Sequence, residues 1–354
     1  YVLPSKLKDF STPHPRFNVI TGQNGQGKTN LLEALFWLGT LRPHRATRLR
    51  ELVQWGHKEA YVEGHVLDQG LEHRLSVELK GSTRQARREG KNCRASAYFG
   101  ALSVVLFVPE DVGLVRGTPE SRRRFLDRAI FTGRATYLAN VLDYRRALDG
   151  RNRLLRDNAP DPLVETYEET LAQQAAKVIE ARTSYVASLA PKFSRIYASI
   201  AGEDSSSTLR YRPSVGADEN NRVDTLREVW AMERERDRQR GFTQRGPHTD
   251  DLSFGLADRS ARNYASQGQQ RAMVLALKIA EIGLLQEQFG RTPVLLLDDV
   301  SSELDPQRNA RLFDFLDRFE GQVFITTTDP GFLRIETDKR TWQVADGRLT
   351  VQED

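Results

Sequence analysis

Cysteine is almost absent from this sequence. Cys93 is the single one among 354 residues. An internal disulfide is therefore excluded, and the chain suits a reducing, cytoplasmic compartment. Histidine is scarce too, at six, and no His or Cys cluster has the spacing of zinc ligands. No apolar run approaches the ~18 residues of a membrane span, and no signal peptide is read, so no membrane contact is expected. The sequence begins at Tyr1 and not at Met, so a few residues are expected to precede it. Arginine heavily outnumbers lysine. A GC-rich genome explains that bias, although arginine also suits phosphate contacts. A net charge of +4 and a pI near 9.1 favour an anionic partner only mildly. The composition is 39% hydrophobic and 28% charged, ordinary for a globular protein, and the length allows a large core and two domains.

What is present centres on one stretch, Gly22-Gln23-Asn24-Gly25-Gln26-Gly27-Lys28-Thr29, which fits G-x-x-x-x-G-K-[ST]. The apolar run Phe17–Ile20 precedes it, and Asn30–Phe36 reads as a helix with an apolar face. Strand, glycine loop and helix form the context in which backbone N–H groups turn inward onto phosphate oxygens, with the helix N-terminus adding to the field. Lys28 is expected at the β- and γ-phosphates and Thr29 on Mg²⁺, with Gly22 to Asn30 lining the nucleotide. ATP and Mg²⁺ are the expected ligands.

The rest of the chain reads as an α/β domain interrupted by helices. Val2 to Thr21 should give one or two edge strands, with a turn at Pro13 and Pro15. Tyr61–Val66 and His73–Leu79 alternate as a hairpin around Asp68-Gln69-Gly70, and Gly81 to Gly90 reads as an Arg-rich loop. Ser103–Val108 is a β-branched strand closed by Pro109. Thr118-Pro119-Glu120 is a helix start. From there to Arg240 strand signals nearly vanish. Arg134–Asp157 and Leu163–Leu189 read as paired helices, Pro191 as an interruption, Gly202–Ser207 as a loop and Val223–Arg240 as a third helix. The division is thus 1–117, 118–240 as an inserted helical arm, and 241–354. A long helix over Gly268–Phe289, the buried strand Val294–Leu297, a strand over Gln322–Thr327 and a final pair about Asp346-Gly347 complete the pattern.

Asp298 and Asp299 follow the buried strand. An acid at the C-terminal end of a central strand lies where doubly wound sheets bind ligands. Asp298 is expected to hold Mg²⁺, and Asp299 to polarise the attacking water, so Lys28 and Asp299 are the catalytic candidates. Ser266-Gln267-Gly268-Gln269 resembles the S-G-G-Q signature of ABC-type ATPases, with Gln267 in place of one glycine. In that superfamily it binds the γ-phosphate of ATP held by another subunit. Ser302-Glu303-Leu304-Asp305 resembles the superfamily's D-loop, and Thr326-Thr327 stands at its switch position.

Further stretches select a narrower resemblance that spans the whole chain. Pro109-Glu110-Asp111, continued through Leu114–Pro119 to Arg122-Arg123-Arg124-Phe125-Leu126-Asp127, is similar to a segment of the RecF family of bacterial recombination-repair ATPases. Gly246-Pro247-His248-Thr249-Asp250-Asp251-Leu252 and Leu296–Asp305 are similar to two more of its motifs. The resemblance implies an α/β fold, an ABC-type P-loop ATPase head with the helical arm as an insertion. It implies two ATP molecules sandwiched in a head-to-tail homodimer through the signature and Asp305. It further implies ATP-controlled binding of double-stranded DNA near single-strand gaps, weak DNA-stimulated ATPase activity that resets the dimer, and partnership with RecR and RecO in loading RecA. Arg122, Arg123 and Arg124 are candidates for DNA phosphates, but equally for the nucleotide, the lobe interface or a solvated helix face.

Three rival classes share the loop. A transporter ATPase subunit leaves the RecF-like segments unexplained. A true SMC protein needs coiled coils of hundreds of residues, whereas about 120 separate the head halves here. A small-molecule P-loop kinase leaves Ser266–Gln269 and Asp305 without a role.

Overall fold

The structure, a computed structural model, describes residues 13–44, 49–68, 70–202, 206–216, 218–299, 306–333, 335, 338–345 and 348–352. The chain runs β1 (Phe17–Thr21), α1 (Lys28–Thr40), β2 (Glu59–Asp68), β3 (Leu71–Lys80), β4 (Thr83–Arg88), β5 (Lys91–Asn92), α2 (Ala95–Tyr98) and β6 (Val104–Phe107). Then follow α3 (Gly113–Arg116), α4 (Pro119–Gly133), α5 (Ala135–Arg156), α6 (Asp161–Ala201), β7 (Ser207–Arg212), α7 (Arg222–Arg240), β8 (Asp251–Leu256), β9 (Arg259–Ser260) and α8 (Ala261–Tyr264). It closes with α9 (Gln267–Phe289), β10 (Val294–Asp298), α10 (Pro306–Arg318), β11 (Val323–Thr327), β12 (Lys339–Ala345) and β13 (Arg348–Gln352). Contacts divide it into two compact units, Tyr1–Val112 with Gln267–Asp354, and Gly113–Ser266.

The first unit is built on a six-stranded sheet of order β13-β12-β1-β11-β10-β6. All its pairs are parallel except β12–β13. A second sheet, β2-β3-β4-β5, is antiparallel. Helix α1 is apolar nearly all round because it buries two faces. Leu31, Leu32 and Phe36 pack with Ile20, Leu106, Leu296 and Phe324 of the large sheet. Trp37, Leu38 and Leu41 pack with Leu75, Val77 and Leu79 of the small one. Two expectations are corrected here. β1, the last part of the expected edge strands, is an interior strand between β12 and β11 with all five residues buried, while Val2 to Thr12 lie outside the described residues. The Gly81–Gly90 stretch contains strand β4, since Ala86 turns into the small sheet's core and Arg84, on the same face, donates to Leu41 O.

In the second unit α5, α6 and α7 pack on one another, and β7, β8 and β9 form an antiparallel sheet. Its bounds, Gly113 and Ser266, differ from 118 and 240 because β8 pairs with β7 and Asp251 binds α4. Strand β7 lies where no strand is expected from the sequence, and β8 supplies its ladder. Pro191 does not end its helix. α6 runs through it for 41 residues, about 60 Å at 1.5 Å per residue. An internal proline costs about 3 kcal/mol through a lost hydrogen bond and a ring clash. Beyond it, Phe193 and Tyr197 are fully buried, with Phe193 5.9 Å from the Phe254 ring of β8. Burying two large aromatic side chains, roughly 1.5–3 kcal/mol each, outweighs that cost.

The second unit is rich in buried arginine. Arg151 of α5 is fully buried and pairs with Glu168 of α6 at 2.9 Å and Asp237 of α7 at 2.8 Å, so one side chain joins three helices. Arg182 of α6 bonds Asp127 of α4 at 2.8 Å and Pro247 O at 2.6 Å. The Gly246–Leu252 stretch forms the hub of this unit. Asp250 accepts from Ser214 N at 2.7 Å and from the Tyr211 hydroxyl.

Candidate nucleotide site

Strands β1, β10 and β11 end at one edge of the large sheet, where Ile20 and Asp298 both lie in register with Thr326. The glycine loop leaves β1 there. Gly22 has φ +146°, and a Cβ on it would stand 2.5 Å from Val344 O of β12, so only glycine lets the loop pass that strand. Gly27, at φ +107°, is the residue that turns the loop into α1. Gln23, Asn24 and Gly25 are exposed, while Lys28 is buried at the base of the loop. Lys28 Nζ donates to Gly22 O at 2.6 Å and Gln23 O at 3.0 Å. Burial pushes its pKa down, against the opposing pull of Asp299 and Asp298.

The structure brings Thr29 and Asp298 together. Thr29 Oγ1 stands 3.0 Å from each oxygen of the Asp298 carboxylate. Asp298 is 3% exposed, and Thr326 Oγ1 donates to its Oδ1 at 2.7 Å. Asp299 has φ +47°, a left-handed backbone that costs an acid roughly 1–3 kcal/mol. Its N–H donates to both the carbonyl and the hydroxyl oxygen of Thr326, each at 3.1 Å. A loop that starts at a glycine with no room for a Cβ, a lysine amine at its base, and a hydroxyl beside a buried carboxylate form the donor set that a nucleoside triphosphate with Mg²⁺ requires. The residues present fit both groups.

The other expected site residues have the following surroundings. Ser266 and Gln267 are exposed at the start of α9, with Gly268 and Gln269 half-buried. Asn30 and Gln26 are half-buried on the loop and the first turn of α1. Asp305 and the rest of the expected D-loop fall outside the described residues. The three arginines separate. Arg122 is 3% exposed and clasps Asp251 with two bonds, of 2.6 and 2.9 Å, which removes it from the DNA candidates. Arg123 donates to Asp250 O at 2.7 Å, and burial pushes its pKa down. Arg124 is exposed and pairs with Glu120 one turn away. Sequence reasoning gave Thr326 no contact. Its signal was the pair of hydroxyls, Thr326 and Thr327, that closes the apolar run Val323–Ile325.

A family model for the RecF/RecN/SMC N terminal domain matches residues 6–347. A DNA replication and repair protein RecF of Myxococcus xanthus (strain DK1622) is 47% identical, covering 97% of this chain and 93% of its own length. The chain belongs to the RecF family. Its RecF counterpart in Anaeromyxobacter sp. (strain Fw109-5) is 45% identical over 90% of this chain and 87% of that one. A solved structure of the recombination mediator protein RecF-ATPrS in the RecFOR pathway superposes with a TM-score of 0.88. It is 30% identical and covers 96% of this chain and 92% of that one. The Smc head domain of Pyrococcus furiosus with an extended coiled coil, at 17% identity and a TM-score of 0.52, shares the fold. It covers 95% of this chain and 89% of its own. This RecF-family chain thus has the ABC-type ATPase head common to SMC proteins, with a mixed sheet and flanking helices. Among the described residues no helix is long and apolar enough to cross a membrane.

Proposed function

We propose that this chain is an ATP-controlled DNA-binding switch of recombinational repair and replication restart, working in the cytoplasm. The observation that carries the reading is the meeting of Lys28, Thr29, Asp298 and Asp299 at one sheet edge in a RecF-family chain. Gly22 to Asn30 cradle the triphosphate of ATP, and Lys28 exchanges its bonds to Gly22 and Gln23 for phosphate oxygens. Thr29 and Asp298 hold Mg²⁺, which supplies charge neutralisation at the β- and γ-phosphates. Asp299 orients and polarises the attacking water, and hydrolysis, which is slow, serves as a reset.

Each chain also presents Ser266, Gln267, Gly268 and Gln269 at the N-terminus of α9, and Asp305 beyond β10. We assign them to the γ-phosphate of ATP held by a second copy. ATP then favours a homodimer because it binds both halves only in the closed state. The second unit serves as the arm. Its relatives' names, DNA replication and repair protein and recombination mediator of the RecFOR pathway, support DNA as the ligand, which we take to be duplex DNA near single-strand gaps. The pathway's name is consistent with RecR and RecO as partners, and loading of RecA is the task we assign to them together. Binding runs mainly through phosphates, and of the arginine triplet Arg124 is the one placed to contribute.

Fluorescence anisotropy on a gapped duplex tests this reading. Affinity should rise with ATP over ADP or no nucleotide, and fall steeply with salt. DNA affinity indifferent to both contradicts it. Arg124→Glu should weaken binding with unchanged melting, whereas Arg122→Glu should lower the melting temperature.

A further inference from the structure

Thr326 is fully buried, and its hydroxyl stands between the two acids of the site. A hydroxyl carries one O–H and accepting lone pairs. Here the O–H goes to Asp298 Oδ1 at 2.7 Å and a lone pair takes the Asp299 N–H at 3.1 Å. Asp298 ends β10, and Thr326 is its in-register neighbour on β11, so the strand ladder fixes the hydroxyl in place. Thr29, the other hydroxyl on Asp298, is the group expected to turn toward Mg²⁺. Thr326 holds the same carboxylate from the side of the sheet. It also secures Asp299, whose left-handed backbone at φ +47° needs outside support.

We propose that Thr326 is a positioning residue that aims the Asp298 carboxylate at Mg²⁺ and the Asp299 carboxylate at the attacking water through one shared hydroxyl. This rests on the nucleotide reading above and gives it a specific mechanical part. Valine has threonine's shape without the hydroxyl. In Thr326→Val, Asp298 Oδ1 loses this donor, and the Asp299 N–H loses the hydroxyl while keeping the Thr326 carbonyl. Thr326→Ser retains the hydroxyl and loses only a methyl group.

The experiment compares wild type, Thr326→Val and Thr326→Ser in steady-state ATP hydrolysis, equilibrium ADP binding with Mg²⁺ or with EDTA, and thermal melting. Misplacement of the acids by a fraction of an ångström to an ångström should lower kcat of the valine variant by about tenfold to a hundredfold, with KM moving far less. The gain in ADP affinity on adding Mg²⁺ should shrink in that variant, while affinity in EDTA stays at the wild-type value. Serine should restore both kcat and the Mg²⁺ gain. Three outcomes would overturn the inference: valine at parity with wild type, serine as deficient as valine, or ADP affinity in EDTA falling in step with kcat. In each the nucleotide reading stands, provided wild type binds and hydrolyses ATP. A wild type that does neither overturns that reading and this inference together.

Discussion

Lys28, Gly22 and Asp299 bear on the site in separable ways. Lys28 supplies charge at the base of the loop, where it already bonds Gly22 and Gln23. Lys28→Met should weaken ATP binding by at least tenfold, about 1.4 kcal/mol, without altering the sheet beneath. Calorimetric titration with ATP checks it. Gly22 supplies only room. Gly22→Ala places a methyl 2.5 Å from Val344 O at φ +146°, so both unfolding temperature and nucleotide affinity should fall. Thermal melting distinguishes it from Lys28→Met, which should melt like wild type. Asp299 supplies neither affinity nor space. Asparagine tolerates the left-handed backbone as well as aspartate, so Asp299→Asn should fold and bind ATP while hydrolysis drops by two or more orders of magnitude. A single-turnover assay with labelled ATP reads that split.

Among the elements, the packed helices of the second unit depend on charges inside them. Arg151 touches Glu168, Asp237 and Thr243, the last at 2.6 Å, and lies 5.9 Å from the Trp230 ring. Arg151→Met takes the guanidinium from buried Asp237 and one of two from Glu168, which keeps Arg234, a loss of about 3–5 kcal/mol that denaturant unfolding of the second unit would show. His248 gives that unit a pH dependence. It bonds the Tyr144 hydroxyl at 2.5 Å and Thr243 O at 2.9 Å, and burial holds its pKa below the ordinary 6.5, so the folded ring is neutral. When pH falls through 6.5 the unfolded chain takes up a proton that the folded chain does not. The stability is therefore full above that range and is lost on acidification. Melting temperature should drop more between pH 7.5 and 5.5 in wild type than in His248→Gln. Elements with one dominant local signal were legible in the sequence: the glycine loop and α1, the apolar β10, the capped start of α4, and α9. Those decided by distant partners were not. Pro191 sits inside α6 because Phe193 and Tyr197 find a sheet to pack on. β4 appears because β3 supplies its ladder. At the site, Lys28, Thr29 and Asp298 followed from spacing, whereas Thr326 depended on which strands adjoin, and Arg122 on an acid 129 residues away.

For the whole molecule, the account rests on ATP as a ligand shared between two copies. One chain offers a glycine-loop site at Lys28 and Thr29 and, at the start of α9, a signature whose Ser266 and Gln267 are exposed. ATP should therefore change molecular mass, and ADP should not. The most direct test is sedimentation equilibrium of the 40.2 kDa chain without nucleotide, with ADP, and with ATP plus Mg²⁺, beside Ser266→Arg and Asp299→Asn. The account predicts doubling of the mass with ATP alone, no doubling for Ser266→Arg despite retained ATP binding, and a longer-lived dimer for Asp299→Asn. A mass that never responds to ATP in any of the three proteins would contradict it and leave Ser266 as an ordinary helix cap.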